Sequence, residues 1–150
     1  MAWSTPSSQV TGDMITAAIW NQNVVSNPIA LGITGLQFSI NEGGTVITTG
    51  IKTDLVVLAK VNITTVTLLG DQSGSIVLDL WKNTYANFPP TVANTITAAA
   101  KPTITAATKS QDATLTGWTT AWAKGDIIRP NVDSVATITR LTVVFDLVYS

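Results

Sequence analysis

The sequence predicts an all-β protein, a jelly-roll-like β-sandwich of about eight strands behind an N-terminal arm that carries a short helix. Three observations predict it. Val, Ile and Thr supply 54 of the 150 residues, and side chains branched at Cβ suit a pleated surface better than a helix. Large apolar residues recur at every second position over 76–80 and 141–149, the period of a strand with one face in a core. Turn residues punctuate these stretches and a long connection interrupts them in mid-chain, which fits two packed sheets better than a simple meander. The length is that of one domain, and no repeated segment argues for a propeller or solenoid.

The arm takes residues 1–35 and the β domain residues 36–150. In the arm, Thr11-Gly12-Asp13 and Thr16 offer side-chain oxygens to the first free amides of a helix. Ile15 and Ile19 sit four apart on one face, with Trp20 and Val24 on the next, so the spacing predicts about two helical turns. Pro28 ends them. So short a helix needs something to pack against, either its own domain or a neighbouring subunit. The arm residues expected to make that contact are Trp3, Ile15, Ile19, Trp20 and Val24. Residues 14–41 carry no charge, yet Asn21, Gln22, Asn23, Ser26, Asn27 and Pro28 interrupt them, and a membrane span is rejected. The opening MAWSTPSSQ lacks a basic stretch followed by an apolar one, so no signal peptide is expected.

Beyond the arm, Leu36, Phe38 and Ile40 alternate with polar residues, and Glu42-Gly43-Gly44 turns the chain into a strand at 45–48. Gly50 breaks that run. Strands are expected at 54–58 and 61–69, and in the second the apolar phase shifts from Val61 and Ile63 to Val66 and Leu68. A bulge near Thr64 and Thr65 explains the shift. Gly70-Asp71-Gln72-Ser73-Gly74 reads as a turn. In the strand that follows, Ile76, Leu78 and Leu80 face one way and Val77, Asp79 and Trp81 the other. Pro89-Pro90 forces an extended chain, and 91–107 reads as a loop-rich crossing with one helical turn near 92–96. Further strands are expected at 113–118, 126–132 and 137–149, with Leu141, Val143, Phe145, Leu147 and Tyr149 on one face of the last.

Composition removes several function classes. Only 11% of residues are charged and the net charge is -1, so no basic field attracts phosphate backbones and nucleic acid is not an expected partner. Cys and His are both absent, which removes disulfides, Ser-His-Asp and Cys-His mechanisms and the commonest zinc sites. The nine carboxylates fall mostly in turns or on polar strand faces, where capping and solvation explain them better than a facing catalytic pair. No catalytic, cofactor-binding or metal-binding residue is assigned, and no enzyme activity is expected. Five tryptophans raise the idea of a sugar-stacking platform, although tryptophan also fills cores and interfaces. Trp81, Tyr85, Phe88 and Trp118 are the candidates for an exposed binding surface, with bracing of the Pro89-Pro90 loop as the plainer use of the first three.

Two segments carry a resemblance. Trp3 with Gly12-Asp13-Met14-Ile15-Thr16-Ala17-Ala18-Ile19-Trp20-Asn21 is similar to a short opening found on many virion proteins of tailed bacteriophages. Residues 70–77 with Asp79, Trp81-Lys82, Tyr85-Ala86-Asn87, Pro89-Pro90, Lys101-Pro102, residues 108–112 and Leu115-Thr116-Gly117-Trp118 resemble a β domain at the ends of phage structural proteins and fibres. Residues 32–62 lie outside the resemblance. What it implies is a virion component. A fibre shaft with repeats or coiled coil is missing, so the arm and single β domain are similar in economy to capsid decoration, or cement, proteins. The resemblance implies a homotrimer on the outer surface of the capsid, bound to the major capsid protein and to neighbouring decoration subunits. The alternative is a receptor- or glycan-binding module of a phage tail or fibre.

Overall fold

One strand, β4 (Val61–Thr84), runs unbroken for 24 residues and organises every other strand around it. The computed structural model describes residues 35–150, one compact unit. The expected arm helix and the arm residues Trp3, Ile15, Ile19, Trp20 and Val24 lie outside the described residues. Seven further strands are β1 (Gly35–Asn41), β2 (Gly50–Ile51), β3 (Leu55–Val56), β5 (Thr103–Asp112), β6 (Ala121–Trp122), β7 (Asp126–Ala136) and β8 (Arg140–Tyr149). The described protein is all-β. No helix among the described residues is long and apolar enough to cross a membrane.

All eight strands belong to one antiparallel sheet. β8 and β7 line the same edge of β4 in succession, from Val61↔Tyr149 to Gly70↔Leu141 and from Ser75↔Ala136 to Thr84↔Asp126. β5 pairs with the opposite edge, from Val66↔Asp112 to Val77↔Thr103. β1 lies outside β8, and β2 and β3 outside β7. Residues 35–150 therefore build one curled sheet, and the layers facing across the core are its two halves.

The apolar pattern explains the curl. In β4 the inward residues Val61, Ile63, Val66 and Leu68 belong to the first half and Ile76, Leu78 and Leu80 to the second, all of them buried. The register with β8 shifts between Ile63 and Thr65. This is the bulge the sequence predicts, and the Thr64 hydroxyl there donates to the Asp146 carbonyl at 3.1 Å. From β8, Leu141, Val143, Phe145 and Leu147 enter the same core, whereas Tyr149 is exposed. The Trp122 ring meets Phe145 edge-on, with centroids 5.3 Å apart, a geometry aromatic quadrupoles favour. Backbone bonds then hold the two halves together: the Thr119 amide donates to Ile96, beside the second half, and the Ile63 amide in the first half donates to Thr120.

The bend itself corrects the sequence reading of residues 70–74. They form no turn but the corner of β4, where both its neighbours also yield. Gly74 is packed so closely against β7 and the following bend that a Cβ there would lie 2.7 Å from Ile138 Cγ1 and nearer still to the Ala136 carbonyl and Thr137 hydroxyl. Asp71 fastens the corner by accepting from the Thr139 and Arg140 amides at 3.1 and 3.0 Å and from the Thr139 hydroxyl. Thr137, in the left-handed region at φ 70, returns a bond from its hydroxyl to the Ser73 carbonyl at 2.7 Å.

Three other expectations change. Residues 103–107, read as the end of a crossing loop, begin β5, which runs on to Asp112; only Ile104 in it is fully buried, so an edge strand shows little apolar alternation. Residues 113–118, read as a strand, are a turn with Leu115 at φ 49 and Gly117 at φ 76. Residues 45–48 make a single bridge, Thr45 to Glu42. The expected helical turn near 92–96 is a 3-10 turn at Val92–Asn94.

Candidate interaction surface

The outward face of the second half carries Asp79, Trp81 and Asn83 from β4, with Asn131 and Arg129 directly opposite the first two. Residues 85–102 roof it. They leave β4 through a 3-10 turn at Tyr85–Asn87, form a second at Val92–Asn94 closed by a capping box on Thr91, and return along the β4 edge, where the Ile96 amide donates to Leu80 and Leu78 donates to Pro102, both at 2.9 Å.

Charge holds the roof down. A guanidinium is too costly to bury without partners, and Arg129, 9% exposed, has several. Its Nε and Nη2 donate to the two oxygens of Asp54 at 2.7 and 2.8 Å. Its Nη1 donates to the Pro90 carbonyl at 3.2 Å, and its Cζ lies 5.0 Å from the centre of the Phe88 ring. The Asp54 carboxylate holds the Arg129 pKa above its ordinary value. Asp79, 1% exposed, accepts from the Thr95 and Thr97 hydroxyls at 2.6 and 2.8 Å and pairs with Lys101 at 3.2 Å. Burial works to raise its pKa, but Thr95, the nearby Trp81 indole, Thr97 and Lys101 outweigh that and keep it below the usual carboxylate range. Lys101 also reaches Asp133 at 2.6 Å, and this second carboxylate does most to raise its pKa.

The roof presents Tyr85, 82% exposed, Phe88, 50% exposed, and the exposed Val92. Side-chain amides brace this tip: Asn83 donates to the Asn87 carbonyl at 3.1 Å, and Asn94 accepts from the Thr91 amide at 2.9 Å. Of the four residues expected on an exposed surface, Tyr85 and Phe88 are there. Trp81 is half-buried, and its indole nitrogen is enclosed without an acceptor in hydrogen-bonding geometry. Trp118 is corrected to a core residue. The turn at 115–118 folds it inward, where its Nε1 donates to the Ala100 carbonyl at 2.7 Å.

The outward face of the first half differs. Rows of Gln37, Val144, Thr67 and Gln111 and of Ser39, Thr142, Leu69 and Lys109 cross it, with one charge in eight residues and no roof among the described residues. A shallow hollow of about 410 Å³ lies over Thr67, Leu69 and residues 109–111.

The carboxylates have structural partners. Glu42 receives Lys52 and Thr48, and Asp112 caps the amides of Thr114 and Leu115. Asp126 receives Lys82 and the Ala123 amide. With Asp54, Asp71, Asp79 and Asp133 already placed, Asp146 alone among the described carboxylates accepts no hydrogen bond there. No three His, Cys, Asp or Glu side chains among the described residues are grouped to hold a metal.

The sequence did not point to the Arg129 to Asp54 pair or the Lys101 bridge. The available signal was a lone arginine in the apolar run Ile127-Ile128-Arg129-Pro130 and a lone aspartate in Ile76-Val77-Leu78-Asp79-Leu80, since a charge inside a buried strand needs a partner. Comparison of the chain with protein-family models, curated protein sequences and solved structures finds no match.

Proposed function

We propose that this chain is a capsid decoration, or cement, protein of a tailed bacteriophage, which binds the outer surface of the major capsid protein shell, bridges neighbouring capsomers and stabilises the head. The observation that carries the proposal is how the ionisable groups are spent. Seven of eight described carboxylates pin the sheet, its corner or its roof, which suits a rigid body that binds many times over rather than one that turns over a substrate. Resemblance of the arm and of residues 70–118 to phage virion proteins supports the same reading. Repeated weak contacts around a shell resist internal pressure because each seam must break with its neighbours. In this reading the curled sheet is jelly-roll-like, its halves acting as the two layers of a sandwich, and the arm, residues 1–35, supplies the attachment through Trp3, Ile15, Ile19, Trp20 and Val24. Self-association as a homotrimer belongs to the same proposal. Deleting residues 2–30 is expected to abolish binding to expanded capsids while circular dichroism still reports the β fold. Undiminished capsid binding by that variant would sink the proposal.

A second reading, a glycan- or receptor-binding module of a tail or fibre, is favoured by the exposed aromatic tip of the roof. It predicts saturable binding of host-surface polysaccharide that is lost in Tyr85→Ala/Phe88→Ala. A glycan array without hits for the parent protein would remove it.

A further inference from the structure

We infer that the open edge of β1 is a self-association edge, where Gly35–Asn41 pairs antiparallel with the same residues of a second copy of this chain. The inference is independent of the capsid reading.

Among the described residues, β1 closes one side of the sheet and is bonded to β8 alone. Such an edge offers a row of unpaired amides and carbonyls, and proteins that stay monomeric guard it with charge, proline, bulges or brevity. The other margins of this sheet have those guards. β5 carries Lys109 and Asp112, a left-handed Ala106 at φ 45 and two register shifts against β4. β2 and β3 are two residues each. β1 has none of them: its sequence GLQFSIN holds no charge and no proline, and its seven pairs with β8 run without a shift.

Its side chains fit a twofold pairing centred on Phe38. On the core side Phe38 would lie beside its own symmetry mate and Leu36 beside Ile40. Leu36 and Phe38 pack on the core yet stay only half-buried, because the sheet stops there. Phe38 lies 6.3 Å from the Phe145 ring, so the pairing would extend the aromatic layer from one copy into the next. On the outward side Gln37 would face Ser39. No like charges meet anywhere along the strand, and cross-strand pairs of this kind are the unit of sheet stability.

Charge in the flanking strand complements the same symmetry. Gly35 is paired with Asp146 and Asn41 with Arg140. A pairing centred on Phe38 puts Gly35 opposite Asn41, so each end row runs Asp146, Gly35, then Asn41 and Arg140 of the second copy. The acid and the base are then three strand spacings apart, about 14 Å, with opposite signs at both ends. An isologous contact needs this self-complementarity, which points to a second copy rather than a foreign strand as the occupant.

The test uses the full chain and its mass in solution, by light scattering and native mass spectrometry, with circular dichroism to check the fold. The parent protein is expected to form an assembly of the 15.8 kDa chain whose mass falls twofold in Gln37→Lys/Ser39→Lys, whether two single chains or two trimers are joined. Both substituted positions are exposed, and the pairing sets their lysines against each other. Gln37→Lys/Ser39→Glu sets a lysine opposite a glutamate and is expected to restore the parent mass. A monomeric parent protein, as when residues 1–34 or another protein occupies the edge, overturns the inference. So does a Gln37→Lys/Ser39→Lys variant that folds and keeps the parent mass.

Discussion

Arg129 and Asp54 meet fork to fork, with two nitrogens of one guanidinium 2.7 and 2.8 Å from the two oxygens of one carboxylate. The pair ties β7 to the segment between β2 and β3, and the third arm of the same guanidinium holds the roof at Pro90. Lysine keeps the charge but has no fork. Arg129→Lys is therefore expected to cost about 1–2 kcal/mol, the worth of a charge-assisted bidentate bond in a partly open setting. Asp54→Asn, which leaves the buried guanidinium without its counter-charge, is expected to cost about 2–3 kcal/mol. Urea unfolding of both variants measures the two values. A change below about 0.5 kcal/mol in each, the ordinary range of surface substitutions, would remove this pair from the account of how the roof is held.

Asp71 gives an acid-sensitive corner. The Thr139 hydroxyl, the Arg140 amide and the Thr139 amide hold its pKa at about 2, against an ordinary value of 3.8. A carboxylate depressed in the folded state stabilises the fold above its unfolded pKa, and that stabilisation is lost as pH falls through the folded one. Its contribution is thus complete above pH 4 and disappears between roughly pH 4 and 2. Glu42 and Asp79 are lowered too, so the parent protein will lose stability on acidification for more than one reason. Asp71→Asn is expected to melt lower than the parent at pH 7 and to show a shallower fall in Tm from pH 4 to 2. Parallel Tm curves over that interval would count against the assignment.

Gly74 and Gly43 separate two reasons for having glycine. Gly43 sits at φ 71 with open space around its Cα, whereas Gly74 has an unremarkable φ and no room. Gly43→Ala is expected to cost about 1–2 kcal/mol, the penalty of a left-handed conformation. Gly74→Ala forces β4 away from the Ala136 to Ile138 backbone and is expected to cost more, about 3 kcal/mol, at the upper end of overpacking effects. Chemical unfolding of the two variants side by side checks the order, and the reverse order would refute the close approach at the corner.

Much of the fold is legible in the sequence where burial is one-sided. Ile76, Leu78 and Leu80, and Leu141, Val143, Phe145 and Leu147, alternate because one face meets the core and the other does not, and the shift at Thr64 shows as a change of phase. The corner is not legible. Gly70, Asp71, Ser73 and Gly74 are turn-forming residues, and a bent strand recruits the same chemistry as a chain reversal: a close approach free of Cβ and a carboxylate that caps loose amides. β5 is hidden for another reason. Among the described residues it pairs on one side only and buries a single isoleucine, so its Thr and Ala pattern carries no period. Trp118 misleads because side-chain size says nothing of direction, and it is the left-handed pair Leu115 and Gly117 that turns it inward. Of the candidate surface, the aromatic tip was readable as a proline-rich loop, but its ionic fastening depends on partners 75 residues apart in Asp54 and Arg129.

The order of strands also sets an order of events. β8 lies between β1 and β4, although Gly35 and its partner Asp146 are separated by the whole of the intervening chain. As the polypeptide is made, the first pass has no neighbour until residues 126–149 arrive, and closing so long a loop is slow. A chain halted before residue 140 would leave β1 without its described partner, bare the facing edge of the first half of β4 and open that half of the core.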